Sequence, residues 1–313
     1  MNLPSSLEGL KDLAGQQLKP GGSAYGLVNS MLNPGVIAKK GMGALPVQPF
    51  DVFKMAKSYL GMRDEGLRLG LFIDPRLSDE FIADLMSIFE PAESKTRVFV
   101  HVLSDEMNLG EQVSYDALIV VLLQPDMAHM LVATARELEL PVLVVVQEGL
   151  RRDAAEVYGM SILDVASARK EDLLIGQVAT WFAENLKEHR IALAADFAFM
   201  RPALANATIM ATAQQNAIIA FVILVPGADM PVLTLNQIKM VLQIAFIYGE
   251  DLTWERAAEV SVVIGSAFAT RAMARGLSRR YRALSWPLKA AVAFGTTAAL
   301  GKAMEQSLLL RKR

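Results

Sequence analysis

The sequence predicts an α/β fold in which a mostly parallel sheet, with helices on both faces, is followed by a strongly hydrophobic all-helical region. Between residues 67 and 187, short apolar runs rich in β-branched side chains alternate with helical stretches. Such alternation is typical of crossover units, which place parallel strands in one sheet. After Arg190 the alternation ends and the chain becomes rich in Ala, Ile, Val and Met. We therefore predict an irregular leader at 1–50, an α/β domain at 51–190 and a helical domain at 191–313.

The elements of the α/β domain can be assigned in chain order. Residues 1–50 hold eight glycines and five prolines without a regular period, which indicates irregular structure, and a helix is expected at about 50–60. The strand candidates are Leu67–Ile73, Arg97–Leu103, Ala117–Leu123, Pro141–Val146 and a shorter run at about Ile162–Val165. The helical stretches between and after them are Asp79–Phe89, Asp126–Glu139 and one that ends at Lys187. In a sheet of this kind, ligands normally bind beyond the carboxyl ends of the strands.

The composition limits the chemistry that the chain can perform. Among its 313 residues there is no cysteine, which excludes disulfides, thiolate nucleophiles and cysteine-based metal sites. The histidines, His101, His129 and His189, belong to no metal-binding pattern, so we predict no metal and no other cofactor. The leader lacks a basic start followed by an apolar run, which argues against a signal peptide. We therefore expect the α/β domain to face the cytoplasm.

The two halves of the chain carry opposite charge. Up to His189 there are 17 basic and 26 acidic residues, whereas the remainder has 14 basic and 7 acidic residues. A basic and apolar second half predicts contact with an anionic surface such as lipid headgroups, or attraction between the halves. Nucleic acid is not an expected partner, because the apolar surroundings offer no aromatic platform on which bases could stack.

Two segments near the end of the α/β domain resemble an Era-type small GTPase domain. The run Leu140-Pro141-Val142-Leu143-Val144-Val145-Val146 is similar to the strand before the guanine-reading motif of that family. The run Ser167-Ala168-Arg169-Lys170 is similar to its Ser-Ala-Lys loop. The resemblance implies a Rossmann-like, P-loop-GTPase-like sheet. If a nucleotide or another phosphate ligand binds, it would have to use unconventional residues, for which Arg76, Ser167, Ala168 and Lys170 are the candidates.

The residues that would perform GTPase chemistry are missing. A phosphate loop needs glycines and a Lys-Ser/Thr pair, but the first strand is followed by Asp74-Pro75-Arg76-Leu77-Ser78-Asp79-Glu80. Asp79 and Glu80 put negative charge in the first turn of the next helix, where a phosphate would bind. Gln147-Glu148-Gly149-Leu150 stands in place of the family's Asn-Lys-x-Asp motif. We therefore predict a pseudo-GTPase-like domain without ordinary GTP hydrolysis.

Spaced motifs recur over about 100 residues of the helical domain, from roughly Asn206 to Gln306. Their residues are Pro226, Gly227, Asp229, Gln237, Tyr248, Gly249, Thr296 and Gly301. In this order they resemble the YcjF-type family, a helical domain of unknown function that often follows Era-like GTPase domains. The resemblance implies membrane association and leaves the biochemical role open.

The helical half has physical features that favour a membrane. The 27 residues from Pro202 to Ala228 carry no charge and are long enough to cross a bilayer. Four amides oppose insertion unless other helices pair them: Asn206, Gln214, Gln215 and Asn216. A basic stripe that could hold anionic lipids, or simply face solvent, comprises Arg271, Arg275, Arg279 and Arg282. The small residues Ala291, Gly295 and Ala299 recur every fourth position, and helix packing is favoured for them over a dimer seam.

The sequence leaves three functions open. The leading hypothesis is a scaffold or regulator on the cytoplasmic side of a membrane, acting through protein partners or as a homo-oligomer. The first alternative is an atypical nucleotide-binding protein or NTPase. The second is a soluble homo-oligomer whose helical half is the interface.

Overall fold

The structure is a computed structural model that describes residues 49–93, 95–104, 114–147, 149–167, 171–222, 230–250 and 285–311, with side chains described except at 49–53, 171–174, 230–231, 285–286 and 311. The helices are α1 (Pro49–Arg63), α2 (Asp79–Ile88), α3 (His129–Glu137), α4 (Arg151–Val157), α5 (Glu171–Asn185), α6 (Arg190–Asp196), α7 (Arg201–Val222), α8 (Met230–Ile247) and α9 (Ser285–Arg311). The strands are β1 (Arg68–Ile73), β2 (Arg97–Val102), β3 (Ala117–Val121), β4 (Val142–Val146) and β5 (Val165–Ser167).

The predicted α/β fold is confirmed, with two local differences: helix α4 between β4 and β5 was not predicted, and the last strand begins later than expected. A 3₁₀ turn at Ile162–Asp164 precedes β5, so the strand begins where the sequence pattern placed its end. Ser161 explains the turn, because its hydroxyl caps it by accepting a hydrogen bond from the Leu163 amide at 3.2 Å. At the start of α2, Ser78 likewise accepts from the Phe81 amide, and the predicted acidic first turn is present.

The five strands form a single parallel sheet in the order β2-β1-β3-β4-β5. This is a doubly wound order, in which the chain first moves from β1 to one side and then returns to continue on the other. The reversal lies between β1 and β3. In such sheets the crevice beyond the carboxyl ends of these two strands is the usual position of a ligand.

Helices cover both faces of the sheet. On one face, odd-numbered strand residues such as Leu71 and Ile119 join the apolar side chains of α2 and α5. On the other face, even-numbered residues such as Leu118 and Val144 pack against α3 and α4. The central strands β3 and β4 are buried along their whole length, as expected for parallel strands covered on both sides.

Helices α7, α8 and α9 pack against one another and are called the bundle below. Ile209 of α7 contacts Gly301 of α9, and further along Ala220, Leu233 and Ala293 form one apolar cluster. The carboxyl end of α7 therefore lies beside the amino ends of α8 and α9. Within the described residues, no helix combines the length and the apolar character that crossing a membrane requires.

The apolar core of the sheet continues into the bundle. One cluster of buried side chains includes residues of β1 and α5 as well as Leu204, Ile244 and Leu308. Helix α1, which precedes the sheet, contributes Tyr59, whose ring lies 6.0 Å from that of Phe246 in α8. Buried side chains from both sides of the predicted boundary near residue 190 therefore belong to one core. The division into domains stays a prediction.

Candidate functional site at the carboxyl edge of the sheet

The crevice between β1 and β3 contains a buried carboxylate. Asp74 directly follows β1 and is fully shielded from solvent, while its amide extends the sheet by donating to the Val121 carbonyl at 2.9 Å. Its carboxylate accepts hydrogen bonds from the amide of Leu123 at 3.0 Å and from that of Arg76 at 2.9 Å. Asp74 thereby joins the loop after β1 to the loop after β3.

Arg76 bridges two carboxylates across the crevice. Its guanidinium donates to Asp74 through Nε at 2.9 Å and Nη2 at 2.7 Å. It also donates to both oxygens of Asp126, through Nη1 at 2.7 Å and Nη2 at 2.6 Å. Such paired hydrogen bonds use the fixed fork of an arginine and give geometric specificity. We call Asp74, Arg76 and Asp126 the edge cluster.

The electrostatics of the edge cluster favour its charged form. Burial alone would raise the pKa of Asp74, but hydrogen bonds from Arg76 and Leu123 more than offset burial and lower that pKa below its ordinary value. Hydrogen bonds from Arg76 also lower the pKa of Asp126, and hydrogen bonds to both carboxylates raise the pKa of Arg76. Burial, with the two negative charges, raises the pKa of nearby Tyr158, whose hydroxyl donates to the Met127 carbonyl at 2.6 Å.

This arrangement leaves little capacity to bind an anion. Every nitrogen of the Arg76 guanidinium already donates to a carboxylate, and two negative charges surround one positive charge. Asp79 and Glu80 add two further carboxylates at the start of α2. A phosphate placed here would meet net negative charge at the helix terminus that binds phosphate in nucleotide-binding folds.

The candidates proposed for ligand contact do not all meet. Arg76 lies after β1, whereas Ser167 ends β5, which β3 and β4 separate from β1. Ser167 is buried, its amide donates to Gln177 Oε1 at 2.8 Å, and its hydroxyl has no hydrogen-bond partner within the described part of the chain. Ala168 and Lys170 fall outside the residues that the structure describes.

Several motif residues of the bundle make side-chain contacts in its interior. Gln237 Nε2 donates to Thr297 Oγ1 at 2.9 Å, and Tyr248 donates to Glu305 at 2.9 Å. Gly249, the second residue after the end of α8, has a φ of 73°, a conformation that glycine adopts without strain. Thr296 donates to the Val292 carbonyl of its own helix at 2.8 Å. The motif residues Pro226, Gly227 and Asp229 are outside the described ranges, as are the basic-stripe residues Arg271, Arg275, Arg279 and Arg282.

A network of neutral polar groups lies in the bundle and was not foreseen. Asn216 is fully buried; its amide nitrogen donates to Thr297 Oγ1 at 3.0 Å, and its oxygen accepts from Asn236 at 2.9 Å. Gln237 donates to the same threonine hydroxyl. We call Asn216, Asn236, Gln237 and Thr297 the bundle network. Amides recurring within apolar helices were the available sequence signal, but spacing alone did not identify their partners.

The expectation that the small residues of α9 form its packing face is wrong. Ala291, Gly295 and Ala299 are exposed, and a Cβ added at Gly295 would meet no atom within 4 Å. The packed line lies two residues further along and includes Ala293 and Gly301. A Cβ on Gly301 would come within 2.6 Å of Ile209 Cγ1, so α7 and α9 approach closely there.

The histidines have local roles. His101 is within hydrogen-bond distance of the Tyr115 hydroxyl at 2.9 Å and stacks on Phe72 with ring centroids 4.9 Å apart. The ring of His129 lies against that of Tyr158, with centroids 5.2 Å apart. In the described ranges, no group of three histidine or carboxylate side chains is arranged to hold a metal ion.

No protein-family model, curated protein or solved structure matches this chain. The likenesses to Era-type and YcjF-type domains therefore stay sequence-based predictions, and function has to be argued from the site itself.

Proposed function

We propose that this protein is a non-catalytic scaffold or regulator at the cytoplasmic side of a membrane, acting through protein contacts. The observation that carries the non-catalytic part is the edge cluster. Arg76 fills the crevice in which a doubly wound sheet normally binds its ligand, and it uses its donors on Asp74 and Asp126. The strand order supports a doubly wound α/β class. The Rossmann-like, P-loop-GTPase-like and pseudo-GTPase labels rest on the sequence resemblance alone.

The apolar end of the bundle supports the membrane part of the proposal. Large apolar side chains are exposed near the carboxyl end of α7 and the amino end of α9, with exposed fractions of 52% for Ile218, 49% for Phe221 and 38% for Leu288. Helix α7 has no charged residue after Arg201. Exposed apolar side chains gathered at one end of a helical bundle suit contact with lipid or with another protein.

Titration calorimetry tests the non-catalytic part. We expect no heat of binding when GTP, ATP or their diphosphates are added with magnesium to the full-length protein. Saturable binding would overturn this part of the proposal and establish the alternative of an atypical nucleotide-binding protein. Ser167 would then be the first residue to change, because its buried hydroxyl at the carboxyl end of β5 has no hydrogen-bond partner among the described residues.

Fractionation of expressing cells tests the membrane part. We expect the protein in the membrane pellet. Release by high salt would indicate an electrostatic contact of the kind that the basic stripe predicts, and retention after alkaline carbonate would indicate integral insertion. Recovery in the cytosol would contradict the membrane part and favour the soluble homo-oligomer, for which the exposed small-residue face of α9 offers a helix-packing surface.

A further inference from the structure

The outer edge of β2 presents unpaired backbone groups. Among the described strands, β2 pairs with β1 alone. The Arg97 amide donates to the Leu67 carbonyl at 2.7 Å and the Leu103 amide to the Ile73 carbonyl at 2.8 Å. Because backbone groups alternate sides along a strand, those of Val98, Val100 and Val102 point away from the sheet. Across the described ranges, no hydrogen bond satisfies these outward groups.

This edge lacks the features by which proteins usually protect one. Sheet edges are commonly blocked by lysine, proline, an inward charge or a bulge. From 98 to 102 the strand reads Val-Phe-Val-His-Val, and Val100 and Val102 are 40% and 64% exposed. An open, apolar edge of this kind is suited to pairing with another extended chain.

A cavity adjoins this edge and contains an unsatisfied hydroxyl. The cavity has a volume of about 790 Å³ and lies between α2 and β2, with Met86, Phe89 and Val98 among its apolar lining. Thr96 also lines it, is only 2% exposed, and has no partner for Oγ1 within the described ranges. Its amide is held by the buried carboxylate of Asp196 at 2.9 Å, which fixes its position. Buried polar atoms without a partner are rare, so this hydroxyl makes Thr96 a candidate contact for a ligand at the cavity.

Charged residues near the cavity indicate which charged group a ligand would carry. Arg97 begins β2 directly opposite Arg68 of β1 and lines the cavity. It is exposed and makes no ion pair among the described residues. Arg68 lies over the ring of Phe99 at 5.8 Å, which leaves two neighbouring guanidinium groups at this end of the strand. A carboxylate on the ligand would complement these two guanidinium groups. A ligand carboxylate placed beside Glu90, on the opposite wall of the cavity, would instead be repelled.

We propose that the outer edge of β2 and its cavity bind an extended peptide segment of a partner protein by strand addition. The segment pairs with the backbone of Val98, Val100 and Val102, places an apolar side chain in the cavity and hydrogen-bonds to Thr96. A carboxylate of the segment contacts Arg97. This inference rests on the proposed action through protein contacts and names the site and the chemistry of the partner.

The test starts from phage-displayed random peptides of about ten residues, the upper end of common strand lengths, selected on the full-length protein. We expect enriched peptides with alternating apolar residues and a carboxylate, and the strongest is labelled for fluorescence anisotropy. Val100→Pro removes an outward amide and should weaken binding at least about tenfold. Val100→Ala keeps the amide and serves as the control, with binding expected to change by less than about threefold.

Two further variants test the side-chain contacts. Thr96→Val removes the hydroxyl at nearly constant volume and should weaken the same peptide. Arg97→Glu should abolish the preference for a carboxylate and restore binding to a peptide in which lysine replaces it. Thermal melting of each variant shows whether it is folded; if Val100→Pro is not, the decision rests on Thr96→Val and Arg97→Glu.

Several results would overturn the proposal. Peptides that bind the Val100→Pro or Thr96→Val variants as tightly as the unaltered protein would exclude this site. Self-association lost in Val100→Pro would show that a second copy is the occupant. Slow amide exchange at Val98, Val100 and Val102 in dilute protein would show that the chain covers its own edge. Any of these outcomes would refute the peptide-binding site at β2. The proposed function would still stand if nucleotides give no heat of binding and the protein is still recovered with membranes.

Discussion

The edge cluster and the bundle network both hold polar side chains together, but they use different chemistry. The edge cluster is ionic and partly open to water, since the side chains of Arg76 and Asp126 are 40% and 48% exposed. The bundle network is neutral, and Asn216 and Thr297 are fully buried. Charges are costly to remove from water, whereas amides and hydroxyls cost less and can satisfy one another. The bundle network is therefore buried as neutral groups, whereas Asp74, the fully buried charge of the edge cluster, is paired with the half-exposed Arg76.

The two regions also differ in what they connect. The edge cluster joins loops at the mouth of a sheet whose strands are already fixed by backbone hydrogen bonds. The bundle network instead sets how α7, α8 and α9 lie against one another, because helices share no backbone ladder. Polar pairing of this kind can specify which residues of neighbouring helices meet. Changes in the bundle should therefore affect folding more than changes at the edge.

The largest effect is expected from Gly301→Val. The side chain would enter the space of Ile209, which is fully buried, and overpacking of this kind costs about 3 kcal/mol. Gly295→Val is the matched control on the same helix, because its Cβ meets open space, and it should change stability by less than about 0.5 kcal/mol. Urea denaturation measures both. Equal losses would show that α7 and α9 do not approach closely at Gly301.

A smaller effect is expected from Thr297→Val, which removes the shared acceptor of the bundle network. The amides of Asn216 and Gln237 would lose their hydroxyl partner in the interior, at a cost of about 2 kcal/mol. Thr296→Val is the control, since that hydroxyl bonds only to its own helix and its loss should cost less than about 0.5 kcal/mol. If the two variants unfold at the same urea concentration, the network does not stabilise the bundle.

The smallest effect is expected from pH at the edge cluster. Because the pKa of Asp74 and that of Asp126 are lowered by folding, their stabilisation is complete above the unfolded values and is lost as the pH falls below about 4. Arg76→Gln removes the guanidinium whose hydrogen bonds lower both pKa values. The variant should therefore lose less stability than the unaltered protein between about pH 5 and pH 3. Parallel urea titrations across this range give the comparison. Identical pH slopes would mean that Arg76 does not lower either pKa.

The bundle network offers an internal reference for that titration. It contains only amides and a hydroxyl, none of which changes charge at these pH values. The stability difference between Thr297→Val and the unaltered protein should therefore stay constant over the same range. A difference that follows pH would show that the two regions are coupled through the shared core.

The sequence by itself determined the local features of this protein. Strands were identified by short β-branched runs, and the first turn of α2 by the acids Asp79 and Glu80, because periodicity and the charge at a helix terminus act within a few residues. The missing phosphate loop after Ile73 could be read for the same reason. A carboxylate directly after a strand, as at Asp74, was a signal that could have indicated the edge cluster.

Only the tertiary structure decided which distant residues meet. The sheet order places β1 beside β3, and this brings Asp126 to Arg76, 50 positions earlier in the chain. Asn216 and Thr297 are 81 positions apart and meet because their helices pack together. On α9, the exposed line through Gly295 and the buried line through Gly301 have the same spacing of small residues, so periodicity could not distinguish them. The buried line is the one that faces Ile209, and that choice depends on the neighbouring helix rather than on α9 itself.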